Sequence, residues 1–113
     1  MHALEGIKIL DLSRTLAGPF STMLLGDMGA DVIKVEQPGQ GDESRRFTPP
    51  TWNDESCYYL SSNRNKRSIT VDLKSEEGKE IIYKLAKDAD VLVENFRTGT
   101  LDKLGYGYET IKN

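Results

Sequence analysis

Short apolar runs alternate with longer stretches of helical spacing along this chain. β-Branched and aliphatic residues predict four strands, over residues 7–12, 31–36, 68–73 and 91–94. Apolar residues three and four positions apart predict helices over residues 19–28 and 75–88, and a short helix is predicted over 100–104 before a turn at 105–107. This order predicts an α/β fold: a Rossmann-like, mainly parallel four-stranded sheet with flanking helices.

The two long helices have recognisable ends and apolar faces. Pro19 suits the first turn of the first helix, and Gly29 suits its C-terminal cap. Ser75 is predicted to cap the second helix at its N-terminus. The apolar side chains that we expect to face the core are Phe20, Met23, Leu24, Leu25 and Met28 in the first helix and Ile81, Ile82 and Leu85 in the second.

Polar residues follow the predicted strands where each strand ends, which is where open α/β sheets bind ligands. The fourth strand is followed by Glu94, Asn95, Phe96 and Arg97, and this turn is the strongest candidate for a ligand contact. Asn95 offers a hydrogen-bond donor and an acceptor, Phe96 a flat apolar face and Arg97 a cation. The alternative is that Asn95 only braces the loop.

The region between the second and third strands is less regular. Residues 37–56 form a long polar link, and a loop of this length inside a compact domain is usually functional or disordered. Residues 57–60 are expected to pack as a short helix or strand.

Composition excludes several classes of protein. The chain has 15 basic and 18 acidic residues, a net charge of −3, which argues against general nucleic-acid binding. The chain contains no run of 18 apolar residues, so no membrane-spanning helix is predicted, and the N-terminus lacks the pattern of a secretory signal. Cys57 is the lone cysteine, so we expect no internal disulfide, no structural metal and a reducing, cytoplasmic setting.

One segment departs from the acidic balance. Residues 61–74 contain four cations, among them Arg64, Lys66 and Arg67, and one anion. Such a cluster suits a compact phosphate-bearing ligand or is a solvated basic turn. Because it precedes the third strand, we expect it opposite the ligand edge, where its cations pair with carboxylates or fix the long loop.

Other candidate chemistry is weaker. Gly18, Gly26 and Gly29 do not form the glycine fingerprint of dinucleotide-binding folds, although Glu36 stands 18 residues after Gly18. We interpret Glu36 as the solvated end of a strand. Cys57 is expected to pack beside two tyrosines, and the aspartates bordering the strands to form structural hydrogen bonds, so no catalytic nucleophile is identified.

Five segments together resemble the opening of the class III CoA-transferases, the CaiB/BaiF family, which includes formyl-CoA transferase-like enzymes. They are residues 4–11, 16–19, 25–36, 63–68 and 91–96, and the resemblance runs from about Leu4 to Tyr108. It implies an enzyme that moves CoA from an acyl-CoA to a carboxylic acid, with an aspartate carboxylate as the nucleophile. It also implies two interlocked subunits, with CoA as substrate and no permanently bound cofactor.

The resemblance implies CoA contacts at positions that follow the four strands. Carried over position by position, they are Leu16, Ala17, Gln37, Val71, Lys74, Asn95, Phe96, Arg97, Lys103 and Leu104.

Members of that family run to several hundred residues, and their nucleophilic aspartate lies beyond position 113. We therefore expect residues 1–113 to be the N-terminal CoA-binding portion, with no catalytic residue and no transferase activity of its own. Two alternatives are a stand-alone CoA- or nucleotide-binding module, and an assembly unit whose exposed sheet edge pairs with a partner chain.

Overall fold

The computed structural model describes residues 1–112. Its strands and α-helices follow in chain order: β1 Lys8–Asp11, α1 Ala17–Asp27, β2 Asp31–Glu36, β3 Thr51–Trp52, β4 Glu55–Ser56, α2 Cys57–Leu60, β5 Lys66–Thr70, α3 Glu76–Asp88, β6 Val91–Val93, α4 Thr100–Leu104 and α5 Tyr108–Ile111. A 3-10 helix, Glu43–Arg46, lies between β2 and β3. Within residues 1–112, none of the helices has the length and apolarity needed to cross a membrane.

The main sheet has the order β5-β2-β1-β6, and every neighbouring pair of strands is parallel. Side chains alternate between its two faces. On one face Leu10, Leu12 and Val35 pack with Ile82 of α3 and with Tyr106. On the other, an apolar cluster around Ile9 and Val32 includes Leu25 of α1. The predicted α/β class with a mainly parallel four-stranded sheet is confirmed.

The third predicted strand, residues 68–73, begins two residues earlier and ends three residues earlier in the structure. β5 pairs with β2 from Val32 opposite Lys66 to Glu36 opposite Thr70, so pairing rather than apolarity sets its limits. Residues 71–73, which were predicted to extend the strand, leave the sheet instead. Ser75 caps α3 as predicted, and its hydroxyl accepts a hydrogen bond from Gly78 N at 2.9 Å.

The predicted apolar face of α1 was largely wrong. Phe20, Leu24 and Met28 are 46%, 40% and 50% exposed, whereas Met23 is buried. The helix instead turns Thr22 towards the strand ends, where its hydroxyl donates to Asp11 Oδ2 at 2.6 Å. In α3, Ile82 is buried as predicted but Ile81 is exposed, since adjacent residues of a helix point about 100° apart.

The long polar link is ordered rather than structureless. It contains the 3-10 helix and a two-stranded hairpin of β3 and β4, whose turn residues Asn53 and Asp54 both have positive φ. Residues 57–60, for which the sequence left helix and strand open, form the one-turn helix α2.

Candidate functional site

A cleft of about 300 Å³ lies at the carboxyl ends of the four parallel strands. Every strand contributes to its wall, either directly or through the segment that follows. The lining residues include Leu12, Ser13 and Arg14 beyond β1, Glu36, Gln37 and Pro38 at the end of β2, Val71, Asp72, Leu73 and Lys74 beyond β5, and Phe96, Thr100 and Leu104 beyond β6. The ligand edge that the strand ends predicted therefore has a concave surface.

Half of the predicted contact residues line this cleft. They are Gln37, Val71, Lys74, Phe96 and Leu104. The other five lie outside its wall. Leu16 and Ala17 lie exposed at the start of α1, Arg97 and Lys103 are exposed on either side of the α4 N-terminus, and Asn95 is held in the loop after β6.

Asn95 uses both ends of its side-chain amide on the main chain of one residue. Its Oδ1 accepts a hydrogen bond from Arg14 N at 2.9 Å, and its Nδ2 donates to Arg14 O at 2.7 Å. The side chain therefore ties the loop after β6 to the loop after β1. This is the bracing role that the sequence left open as the alternative to a ligand contact.

The side chain of Arg14 lies over the ring of Phe96. The guanidinium carbon is 4.6 Å from the ring centroid, a cation–π arrangement. Sequence reasoning did not single out Arg14, although it stands in the polar loop after the first strand. The missing information was the contact between residues 82 positions apart, which only the fold supplies.

A buried ion pair stands behind the loop after β1. Lys34 Nζ lies 2.8 Å from Asp42 Oδ2, and both side chains are only 1% exposed. Burial acts to raise the pKa of Asp42, but hydrogen bonds from Lys34 and Ser44 hold that pKa below its usual value. Neither Lys34 nor Asp42 was identified from the sequence, because a lysine inside an apolar strand gives no signal of its partner.

Glu36 is a correction to the sequence interpretation, which placed it in water. Its side chain is 3% exposed and accepts hydrogen bonds from Arg45 at 2.7 and 2.8 Å. Burial acts to raise its pKa, but the bonds from Arg45 and Ser68 and from the backbone of Asp42 prevail and lower the pKa to about 2. Arg45 also stacks on Tyr59, 3.9 Å from its ring centroid.

The basic cluster of Arg64, Lys66 and Arg67, at the start of β5, is used in ion pairs, as one alternative predicted. Lys66 Nζ lies 3.1 Å from Asp11 Oδ2 and also donates to Pro19 O, so it joins β5 to β1 and to α1. Burial lowers the pKa of Lys66, against the opposing effect of Asp11. Arg64 and Arg67 pair at the surface with Asp27 and Asp31.

The charges that remain available in the cleft are two cations, Arg14 and Lys74, and one carboxylate, Asp72. Glu36 and Asp42 are neutralised by Arg45 and Lys34, whereas Arg14 and Lys74 make no ion pair with any residue in the part of the chain that the structure describes. The apolar part of the wall includes Leu12, Val35, Val71, Leu73, Phe96 and Leu104. Such a cleft suits a ligand that is partly apolar and partly anionic. Among residues 1–112 no three His, Cys, Asp or Glu side chains group to hold a metal.

Comparison with known proteins points to one family. The family model described as CoA-transferase family III matches residues 4–113. The chain is 57% identical over 111 residues to succinyl-CoA:glutarate CoA-transferase of Mus musculus, and the alignment covers 98% of this chain and 26% of the relative. It is 50% identical over 110 residues to formyl-CoA:oxalate CoA-transferase of Bradyrhizobium sp. (strain ORS 278), covering 97% and 26%.

A solved structure agrees with this result. The crystal structure of a CAIB/BAIF family protein from Brucella suis superimposes with a TM-score of 0.92 at 46% identity, covering 98% of this chain and 30% of that one. The chain therefore spans about a quarter of the length of the curated relatives it matches, 26% for both named above. The family match, the identities and the shared fold together show that this chain belongs to CoA-transferase family III.

Proposed function

We propose that residues 1–113 are the N-terminal CoA-binding portion of an enzyme that transfers CoA from an acyl-CoA to a carboxylic acid. The observation that carries the proposal is the cleft at the strand ends, which combines an apolar wall with two unpaired cations, Arg14 and Lys74, in a chain of CoA-transferase family III. CoA has matching parts: an uncharged pantetheine arm that carries methyl and methylene groups, and a nucleotide with several negatively charged phosphate oxygens.

The residues of the cleft divide naturally between these parts. Val71, Phe96 and Leu104 offer apolar surface, while Lys74 and Gln37 offer a charge and an amide at the wall. We propose Leu16 and Ala17 at the start of α1, and Arg97 and Lys103 before and within α4, as contacts at the edge of the bound CoA. Asn95 contributes to the same edge by bracing the loop after β1.

The chemistry proposed for the whole enzyme is attack of an aspartate carboxylate on the thioester, with CoA leaving as the thiolate and an anhydride formed on the aspartate. We expect that aspartate to lie outside residues 1–113. Asp11 and Asp42 are buried in ion pairs, which leaves neither carboxylate free to attack. CoA thioesters are then substrates rather than resident cofactors, and a carboxylic acid is the second substrate.

The setting of the enzyme is part of the same proposal. The family resemblance supports an interlocked homodimer, and the single cysteine supports a reducing, cytoplasmic compartment. A stand-alone CoA- or nucleotide-binding module without catalysis is the second candidate function. It is favoured by the fact that all four strand ends that form the cleft lie within residues 1–112.

The proposal is tested by amide NMR spectra of the labelled protein with and without CoA. We expect dispersed peaks and shifts confined to the cleft, at Val71–Lys74 and around Phe96. The matched reference region is the second, smaller cavity of about 130 Å³ at the opposite end of the sheet, lined by Lys8, Asp31 and Arg67. Shifts at that end alone, or none, would contradict CoA binding in the cleft.

A further inference from the structure

The short loop Ser13–Thr15, which carries Arg14 into the cleft, is held by side chains from several other segments. Ser13 N donates to Asp11 Oδ1 at 2.9 Å, and Ser13 O accepts from Lys34 Nζ at 3.2 Å. The next residue, Arg14, has both main-chain groups bonded to Asn95. The backbone on each side of the arginine side chain is therefore fixed before any ligand arrives.

Thr15 shows that this loop is held against its own conformational preference. Its φ is 74°, in the left-handed region that a β-branched residue rarely adopts. Its N–H donates to both oxygens of Asp42, at 3.2 and 3.3 Å, and its hydroxyl donates to Glu43 at 2.8 Å. Backbone strain of this kind persists only where the surroundings over-determine it, which is common at ligand sites.

Arg14 itself is left with unused hydrogen-bonding capacity. One face of its guanidinium lies on Phe96, and none of the guanidinium N–H groups finds an acceptor among residues 1–112. Both Arg64 and Arg67, by contrast, are engaged with aspartates at the surface. A planar fork of donors, oriented by an aromatic ring and facing a cleft, is the arrangement that suits a phosphate group.

We propose that Arg14 is a phosphate-binding residue of the CoA site, and that Asn95 and Phe96 position it. The inference rests on the proposed function, since the phosphate is that of CoA. Asn95 acts through Arg14, because its amide oxygen and nitrogen both bind the Arg14 main chain. Fixing the loop in advance reduces the ordering cost that a flexible arginine would add to binding.

The test is the affinity of the intact protein for CoA and for pantetheine, which lacks the phosphates. Arg14→Gln should raise the Kd for CoA about tenfold or more, which is the usual effect of losing a charge-assisted hydrogen bond. The Kd for pantetheine should not change. Arg67→Gln removes the same charge at the opposite end of the sheet, where it lines the second cavity, and should leave both affinities unchanged.

The role of Asn95 is tested by combining variants. Asn95→Ala should also weaken CoA binding, and the Arg14→Gln/Asn95→Ala pair should bind CoA no more weakly than Arg14→Gln alone. Additive losses would overturn the positioning role.

Two further outcomes separate the inference from the proposed function. The assignment of Arg14 to a phosphate is wrong if the wild-type protein binds CoA and Arg14→Gln binds it equally well. It is also wrong if Arg14→Gln raises the Kd for pantetheine by the same factor as the Kd for CoA. If the wild-type protein binds no CoA, the proposed function fails and the inference fails with it. Amide spectra of each variant establish that it is folded.

Discussion

At the residue scale, the cleft is built on charged side chains that are buried beneath it. Lys34–Asp42 and Lys66–Asp11 are ion pairs with side chains no more than 2% exposed. Desolvation offsets much of the attraction in such pairs, so they contribute little net stability but strongly penalise loss of one partner. Their consequence here is geometric, because Asp42 and Asp11 bond to the loop that carries Arg14.

These pairs also mark the limit of sequence reasoning about the site. The strand ends predicted the end of the sheet at which the cleft lies, and Gln37, Val71, Lys74, Phe96 and Leu104 line that cleft. Glu36 was misjudged, because its partner Arg45 lies in the long link, whose path gives no periodic signal. Partners of buried charges depend on which segments the fold brings together, and single-sequence patterns do not encode that.

Glu36 gives a pH dependence whose sign follows from its pKa. The pKa in the folded protein is lowered from 4.5 to about 2. The contribution of Glu36 to the free energy of unfolding is therefore fully present above pH 4.5 and is lost as the pH falls towards 2. Its size is on the order of 3 kcal/mol. We expect wild type to be more stable than Glu36→Gln at pH 6 and the difference to shrink by pH 2.5, in urea unfolding curves.

The control for that experiment is Glu80→Gln, the same change of charge at an exposed position of α3. If the difference in unfolding free energy between wild type and Glu36→Gln stays constant from pH 6 to pH 2.5, Glu36 does not titrate with a lowered pKa.

At the element scale, strand pairing and helix caps define the edge of the cleft. β5 ends at Thr70 because β2 ends at Glu36, and the chain then turns through Val71–Lys74 along the cleft wall into the cap of α3. The cap at Ser75 was predictable from the sequence, since a serine before two glutamates is a common helix start. The early end of β5 was not predictable, because Val71 and Leu73 continue the apolar alternation that signals a strand.

Gly78 couples α3 to this wall. A β-carbon at Gly78 would collide with the carbonyl oxygen of Asp72, a backbone atom that cannot rotate away. We therefore expect Gly78→Ala to lower the free energy of unfolding by about 1–3 kcal/mol, as overpacking usually does, and to weaken CoA binding by displacing residues 72–74. Urea unfolding and CoA titration measure the two effects.

Glu77→Ala is the matched control, because it alters the same helical turn at an exposed side chain and should change both quantities little. Equal stability of Gly78→Ala and wild type would mean that the first turn of α3 can shift without cost, against the close approach that the structure shows.

At the scale of the whole molecule, the described chain combines a cleft at one end of its sheet with unpaired strand edges and exposed apolar surface. The edge strands β5 and β6 each have one side without a strand partner among residues 1–112. Leu16, Phe20, Leu24 and Met28 recur every four residues along α1 and are 40–50% exposed. Apolar patches of this kind are uncommon on the surface of small monomeric proteins. Their presence here agrees with the finding that the chain spans 26% of the length of the two curated relatives compared.

A polypeptide limited to residues 1–113 is expected to lack transferase activity. With the substrate pairs named for the two relatives, succinyl-CoA with glutarate and formyl-CoA with oxalate, it should form no new acyl-CoA above the rate without protein. The reason is that Asp11 and Asp42 are buried in ion pairs and that the nucleophilic aspartate of the proposed mechanism is expected outside these residues. Chromatographic measurement of acyl-CoA products, on a preparation first shown to be folded and to bind CoA, makes a negative result meaningful. Turnover that survives repeated purification would place a nucleophile within these residues. Asp72, which lines the cleft, would then be the first position to substitute, as Asp72→Asn.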